Sequence, residues 1–295
     1  MPKPKILIFA TGGTIFSSAV RETEMLSYTT EGLQLDQVVS KAPSIREIAE
    51  LETATFCSIP SSSMTAKIWI GLARTIEEAA RRHDTTGIVI THGTDTLEET
   101  AFFLNLVLKT AKPVVMTGGM RPASAISADG PVNLLNAVRV ASSPRARGRG
   151  VLIVMNGVIN GARDATMSHT TAVNTFTSHE VGIQGEVLGE AVEFFAESTR
   201  PHTIRSQFSL ADFEGTETLP RVEIITSHAD EDDLLIRACM EASVPGIVLA
   251  GCGHGTVSAA VEGALAEAVR AGCVVVRANR FGSDPRAIDR VFREC

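Results

Sequence analysis

Residues 87–97 read Gly-Ile-Val-Ile-Thr-His-Gly-Thr-Asp-Thr-Leu, and the order of residue types in this stretch decides the fold. Ile88, Val89 and Ile90 are a short β-branched run opened by a glycine, the pattern of a strand buried on both faces. Thr91 to Thr96 then place hydroxyls, a glycine and a carboxylate where the chain must turn. From there to residue 108 apolar residues recur every three or four positions, the period of a helix packed on one side. Strand, polar turn and helix form the unit from which a parallel sheet is wound, and such sheets bind ligands outside the carboxyl ends of their strands.

The same grammar extends in both directions. Strands are expected at 5–10, 53–59, 113–117 and 151–155 besides 87–91, with helices at 66–82, 96–108 and 132–141 between them. A weaker series follows, with strands at 222–226, 246–250 and 274–277 and helices at 230–242 and 256–271. Between the two series, residues 198–219 are polar, carry Pro201 with Pro220 just beyond, and lack a sustained period, which suits a connector. The expected class is therefore α/β. A larger N-terminal parallel-sheet domain over residues 1–197 is joined by the connector to a smaller C-terminal α/β domain over residues 220–295.

Bulk properties agree with two modest cores. The 295 residues are 44% hydrophobic and 21% charged, the balance of an ordinary globular protein. A net charge of -7 argues against nucleic-acid and anionic-membrane partners, which favour clustered Lys and Arg, and leaves a small molecule as the expected partner. Cys57, Cys239, Cys252, Cys273 and Cys295 lie far apart without metal-ligand spacing, so a reducing compartment and no structural metal are expected. Lys3 and Lys5 precede a run too short for a signal-peptide core, and no stretch approaches the about 20 apolar residues of a membrane span. A cytoplasmic location follows as the expectation. The arginines at 277, 280, 286, 290 and 293 are interleaved with Asp284, Asp289 and Glu294 and read as a solvated helix surface without a binding role.

Chemistry is concentrated in the turns. After the first strand comes Thr11-Gly12-Gly13-Thr14, after the third Thr91-His92-Gly93-Thr94-Asp95, and after the fourth Thr117-Gly118-Gly119-Met120-Arg121-Pro122. Hydroxyls and a carboxylate thus stand at adjacent strand ends, with glycines that let backbone N–H groups approach a ligand. Asp95 could equally cap the helix that follows.

These motifs, in this order and spacing, resemble the bacterial-type L-asparaginase and glutaminase family. The match is carried by Ala10-Thr11-Gly12-Gly13-Thr14-Ile15 and Thr91-His92-Gly93-Thr94-Asp95-Thr96, and extends through Lys112 to Met116, Met120-Arg121-Pro122, Ser127 to Pro131, Val154-Met155-Asn156 and Arg163-Asp164. The resemblance implies an asparaginase-like fold, hydrolysis of a small carboxamide through a threonyl acyl-enzyme, no cofactor and no metal, and a homotetramer. Residue by residue, it implies Thr14 as nucleophile, Tyr28 as its helper, and Thr94 with Asp95 as the second catalytic element. Ser61 would hold a substrate α-carboxylate, Asp95 an α-ammonium, with Ser62, Gly93 and Thr94 beside them. Tyr28, the one tyrosine of the chain, lies in the aperiodic segment 17–30, which reads as a lid that excludes water.

Departures from the family pattern matter as much. A lysine that completes the Thr-Asp pair falls here on Met167, in Arg163-Asp164-Ala165-Thr166-Met167-Ser168-His169, and no lysine follows Lys112. Methionine carries no proton. His169 is a candidate substitute base. The family's glutamine after the carboxylate-binding serine is Ser62, a Gly-Asn-Gly-Asn turn given by a partner subunit reads Gly253-His254-Gly255-Thr256, and Cys295 falls tens of residues short of a typical member's end. Two alternatives stay beside asparagine-like hydrolysis: an impaired, ligand-binding protein of this fold, and an amidase for substrates without a free α-amine.

Overall fold

The computed structural model describes residues 2–29 and 32–281. Two compact units divide at residue 217. In the first, Lys5–Ala10 (β1), Glu50–Thr55 (β2), Gly87–Thr91 (β3), Val114–Thr117 (β4) and Val151–Met155 (β5) pair in parallel. Val158–Gly161 (β6), Gly185–Leu188 (β9) and Ala191–Phe194 (β10) extend the sheet antiparallel beyond β5, giving the order β10-β9-β6-β5-β4-β3-β1-β2. Thr166–Met167 (β7) and Phe176–Thr177 (β8) form a separate small ladder.

Side chains alternate across the sheet because the strand period is two. Ile6, Ile8 and Ala10 of β1 enter the core that includes Leu35–Ser40 (α1), Ile45–Ile48 (α2) and Gly130–Ser142 (α5), while Leu7 and Phe9 enter the core shared with Ala66–Arg81 (α3) and Leu97–Val107 (α4). Every residue of β3 and β5 is buried, which explains their unbroken apolar reading. Helix starts follow local chemistry: Thr65 caps α3 by accepting from the Ile68 N–H at 3.4 Å, and Pro131 sits in the first turn of α5, where a missing N–H costs nothing.

The chain leaves β1 for β2 on one side and returns to β3 on the other. Strand order therefore reverses between β1 and β3, the place where a doubly wound sheet opens a crevice at its carboxyl edge. The turns after β1 and β3 flank it.

The second unit holds Val222–Thr226 (β11), Gly246–Gly251 (β12) and Val274–Asn279 (β13) in one parallel sheet. Leu234–Glu241 (α6) and Ala259–Arg270 (α7) contribute Ile236, Val261, Ala264, Leu265 and Ala268 to its core with Ile225, Ile247 and Leu249.

Some expectations need correction. The second strand is not residues 53–59 but Glu50–Thr55, an edge strand whose exposed glutamates mask it, and the helix expected from residue 230 begins at Leu234. Residues 198–219 lack a period as read, yet much of the stretch packs on the first unit. Arg74 and Lys109 donate to the carbonyls of Phe213 and of Thr203 and Ser206, and the Phe213 ring lies 5.9 Å from Phe103. Arg277 is not on a solvated helix: it lies in β13 and is 7% exposed, 4.0 Å from Glu262. Asp284, Arg286, Asp289, Arg290, Arg293, Glu294 and Cys295 lie outside the described residues. Among the described residues no helix is long and apolar enough to cross a membrane, and no cluster of three His, Cys, Asp or Glu is arranged to hold a metal ion.

Candidate active site

Four backbone segments meet at the switch point, and glycine is what lets them touch. Gly12 and Gly13 adopt φ of 109° and 98°, a region that suits glycine. A Cβ on Gly13 would fall 2.5 Å from both Cα and N of Gly93, and one on Gly12 would fall 2.4 Å from the Ile59 carbonyl oxygen. On Gly93 it would meet Ser61 Oγ at 2.7 Å, and on Gly118 the His92 carbonyl oxygen at 2.6 Å and Thr94 Cγ2 at 3.5 Å. The turns after β1, β2, β3 and β4 are thus in van der Waals contact, which brings the segments bearing Thr14, Ser61, Gly93 and Thr94 together.

Within this junction Thr14 is half-buried in a 3₁₀ turn, Thr14–Phe16. Its Oγ1 lies 3.0 Å from the Tyr28 hydroxyl, a hydrogen bond between residues fourteen apart in the chain. The tyrosine is 38% exposed, so its ring lies at the edge of the site. Its segment is anchored at both ends and in the middle. Ser18 and Thr29 form a bridge, Ala123 N–H donates to the Ser17 carbonyl at 2.8 Å, and Ile126 N–H donates to the Glu22 carbonyl at 3.0 Å.

Thr94 is buried and begins the 3₁₀ turn Thr94–Thr96, which leads into α4. Asp95, next to it, is exposed, and no side-chain hydrogen bond caps α4. The capping alternative for Asp95 therefore gives way to a carboxylate directed at solvent. Ser61 is 3% exposed and its carbonyl accepts from Thr96 Oγ1 at 2.7 Å, tying the second turn to the third, whereas Ser62 is exposed.

Met167 lies in β7. Its side chain packs against the α3/α4 core, and its N–H donates to the Glu98 carboxylate, which also accepts from Thr166 Oγ1 at 3.3 Å. His169 accepts from the Thr171 and Ala172 N–H groups at 3.1 Å through Nδ1, so the imidazole is part of its own turn. That arrangement speaks against a substitute base at position 169.

Several supporting residues carry no independent signal in the sequence. Asp129 accepts from the Met120 and Arg121 N–H groups and from Asn133, each at 3.0 Å, and Asn133 also donates to the Gly118 carbonyl at 3.1 Å; together they fix the turn after β4. His92 is fully buried, and burial pushes its pKa down to about 4. Asp129 and His92 lie inside quoted motifs and Asn133 outside them, but only packing reveals what they bond.

Fold and site define a class: a doubly wound α/β protein whose glycine-rich turns, bearing Thr14 and Thr94, meet at its switch point. Residues 5–200 match the family model "Asparaginase, N-terminal", and residues 221–290 match "Glutaminase/Asparaginase C-terminal domain". The chain is 41% identical to L-asparaginase 2 of Bacillus subtilis (strain 168) over 95% of its own length and 74% of that protein's. It is 38% identical to the glutaminase-asparaginase of Pseudomonas fluorescens biotype A, covering 94% of this chain and 76% of the other. Its fold superposes on the crystal structure of a probable cytoplasmic L-asparaginase from Campylobacter jejuni with a TM-score of 0.90 at 35% identity, covering 94% and 84% of the two chains. The chain belongs to the asparaginase/glutaminase family of amidohydrolases.

Proposed function

We propose that this protein hydrolyses the side-chain amide of a small, L-asparagine-like substrate to the acid and ammonia through an ester on Thr14. The observation that carries this reading is the 3.0 Å contact between Thr14 Oγ1 and the Tyr28 hydroxyl beside the meeting of the Gly13 and Gly93 turns. A threonine hydroxyl is a poor nucleophile until a neighbour takes its proton. As Thr14 Oγ1 bonds to the amide carbon, its proton passes to Tyr28 Oη while the Tyr28 proton passes to the departing nitrogen, so ammonia leaves without a free alkoxide or phenolate. Water then attacks the ester, giving one proton back through Tyr28 to Thr14 Oγ1 and releasing the carboxylic acid. In this reading the buried Ser61 orients the α-carboxylate, exposed Asp95 pairs with the α-ammonium, and Thr94 and the Gly93 backbone flank the reacting group.

No metal or organic cofactor enters this scheme. A homo-oligomer, a cytoplasmic location and a lid role for the segment that bears Tyr28 belong to the same proposal. So do the domain limits at residues 1–197 and 220–295.

Met167 favours a second reading, that of an impaired protein that binds amino-acid ligands without turnover, because an apolar side chain cannot serve Thr94 as a proton carrier. Ammonia release from asparagine, glutamine and amides lacking an α-amine separates the two. The hydrolase reading expects release that Thr14→Ala abolishes. Saturable aspartate binding in calorimetry with no ammonia from any amide favours the second reading.

A further inference from the structure

The imidazole of His92 has no place in the scheme above, yet it is the most enclosed titratable group near the site. Its Nδ1 lies 2.7 Å from the Gly93 carbonyl oxygen, and its Nε2 lies 3.0 Å from Thr100 Oγ1. The indole Nε1–H of Trp69 donates to the same Thr100 hydroxyl at 2.8 Å. Roles along this chain are forced by chemistry. An indole N–H can only donate and a carbonyl oxygen can only accept. In the neutral ring His92 therefore carries its proton on Nδ1 and donates it to the Gly93 carbonyl, its bare Nε2 accepts from the Thr100 hydroxyl, and the Thr100 oxygen accepts from the indole N–H. Of the two neutral tautomers, only the one with the proton on Nδ1 satisfies all three contacts. Burial, which holds the pKa at about 4, keeps that form populated at neutral pH.

The end of the chain is the peptide that matters. Gly93 touches Gly13 on one side and Ser61 on the other, and it immediately precedes Thr94 and Asp95. Trp69 is itself fixed, stacked on Phe103 with ring centroids 5.4 Å apart. We propose that Trp69, Thr100 and His92 form a directional hydrogen-bond relay from α3 through α4 to the Gly93 carbonyl, making His92 a positioning residue that sets the Gly93–Thr94 peptide against the Thr14 turn. The proposal rests on the hydrolase reading for its kinetic consequence, not for its geometry.

Variants of Thr100 test it most cleanly. Thr100→Val keeps the shape and removes the hydroxyl, leaving His92 Nε2 and the indole N–H without a partner, whereas Thr100→Ser keeps the hydroxyl. Trp69→Phe removes the indole N–H and retains an aromatic ring against Phe103. For ammonia release from asparagine, Thr100→Val should lower kcat by about tenfold or more, Thr100→Ser should stay within about threefold of wild type, and Trp69→Phe should fall between. Histidine ring nitrogen NMR of the intact protein supplies a readout that packing alone would not move. His92 should be the neutral Nδ1–H tautomer in wild type and Thr100→Ser, and in Thr100→Val its Nε2 resonance should move to that of a nitrogen without a hydrogen-bond donor. An Nε2–H tautomer or a protonated ring in wild type at neutral pH overturns the relay. So does a Thr100→Val protein with wild-type kcat. If wild type releases no ammonia, the hydrolase reading fails, and the relay is then judged by the tautomer together with the calorimetric affinity for aspartate, which Thr100→Val should weaken and Thr100→Ser should preserve; equal affinities in both would sink it.

Discussion

Gly13→Ala is the substitution that presses hardest on the junction of the two turns. The added Cβ would sit 2.5 Å from Cα and N of Gly93, with the His92 carbonyl carbon at 2.9 Å. Ordinary carbon contacts need about 3.5 to 4.0 Å, so the turns after β1 and β3 must part by about 1 Å. A displacement of about that size between reacting groups can cost about a hundredfold in rate. Alanine at φ 98° adds backbone strain of about 1–3 kcal/mol. For a unit of this size that corresponds to a Tm lower by a few to about 10 °C. Gly148→Ala is the matched control: φ is 77°, but its Cβ would meet nothing within 4 Å, so it reports strain without separation of the turns. Steady-state ammonia release and thermal denaturation of both variants give the comparison. Both variants should lose some stability, and only Gly13→Ala should lose most of its kcat/KM. A Gly13→Ala protein with the wild-type rate and Tm would refute the contact geometry.

Other expectations follow from single side chains. Tyr28→Phe should lower kcat by about 10² to 10⁴ and leave Tm nearly unchanged, because the phenol is at the site edge and its loss removes only a proton relay; steady-state kinetics and calorimetry check both halves. Met167→Lys should raise kcat if the scaffold lacks only a proton carrier at this position, and should lower Tm because an ammonium replaces an apolar contact with the α3/α4 core. His92 is held near 4 in the fold against the usual 6.5. The unfolded chain therefore binds the extra proton between those values, and stability, complete above about pH 6.5, falls as pH drops towards 4. The slope is at most about 1.4 kcal/mol per pH unit, roughly 3 kcal/mol in all. Urea unfolding of wild type and His92→Gln at pH 7 and pH 4.5 should show a smaller loss in the variant.

Sequence and structure agree best where one physical signal acts alone. The strands at 5–10, 87–91 and 151–155 were legible because they are buried on both faces and so appear as unbroken apolar runs. The edge strand β2 was misplaced because its solvated positions, Glu50 and Glu52, pair with Lys5 and break the run. The turn from β5 to β6 offered a signal that the apolar reading passed over. Asn156-Gly157, at φ 52° and 77°, is a two-residue hairpin turn between Met155 and Val158, and it announces the antiparallel half of the sheet. Likewise α1 opens with a reciprocal cap between Gln34 and Gln37, too short a helix to set a period.

The site divides along the same line. That Thr14, Gly93 and Thr94 lie along one sheet edge was legible because they stand in the turns after buried strands, whereas Ser61 follows the exposed edge strand β2 and was singled out by resemblance alone. The mutual contact of these turns was not legible, since it depends on Gly13 meeting Gly93 across 80 residues of chain, an approach that only assembled turns can show. The Trp69–Thr100–His92 chain was invisible for the same reason. Its members share no spacing and draw on two helices and a turn.

A crystal structure with L-aspartate bound is the most direct measurement. The side-chain carboxyl group should lie between the Thr14 and Thr94 hydroxyls, with the α-carboxylate on Ser61 and the ammonium on Asp95. Aspartate bound elsewhere, or seated at the switch point with Thr14 Oγ1 turned away from its side-chain carboxyl group, would contradict it.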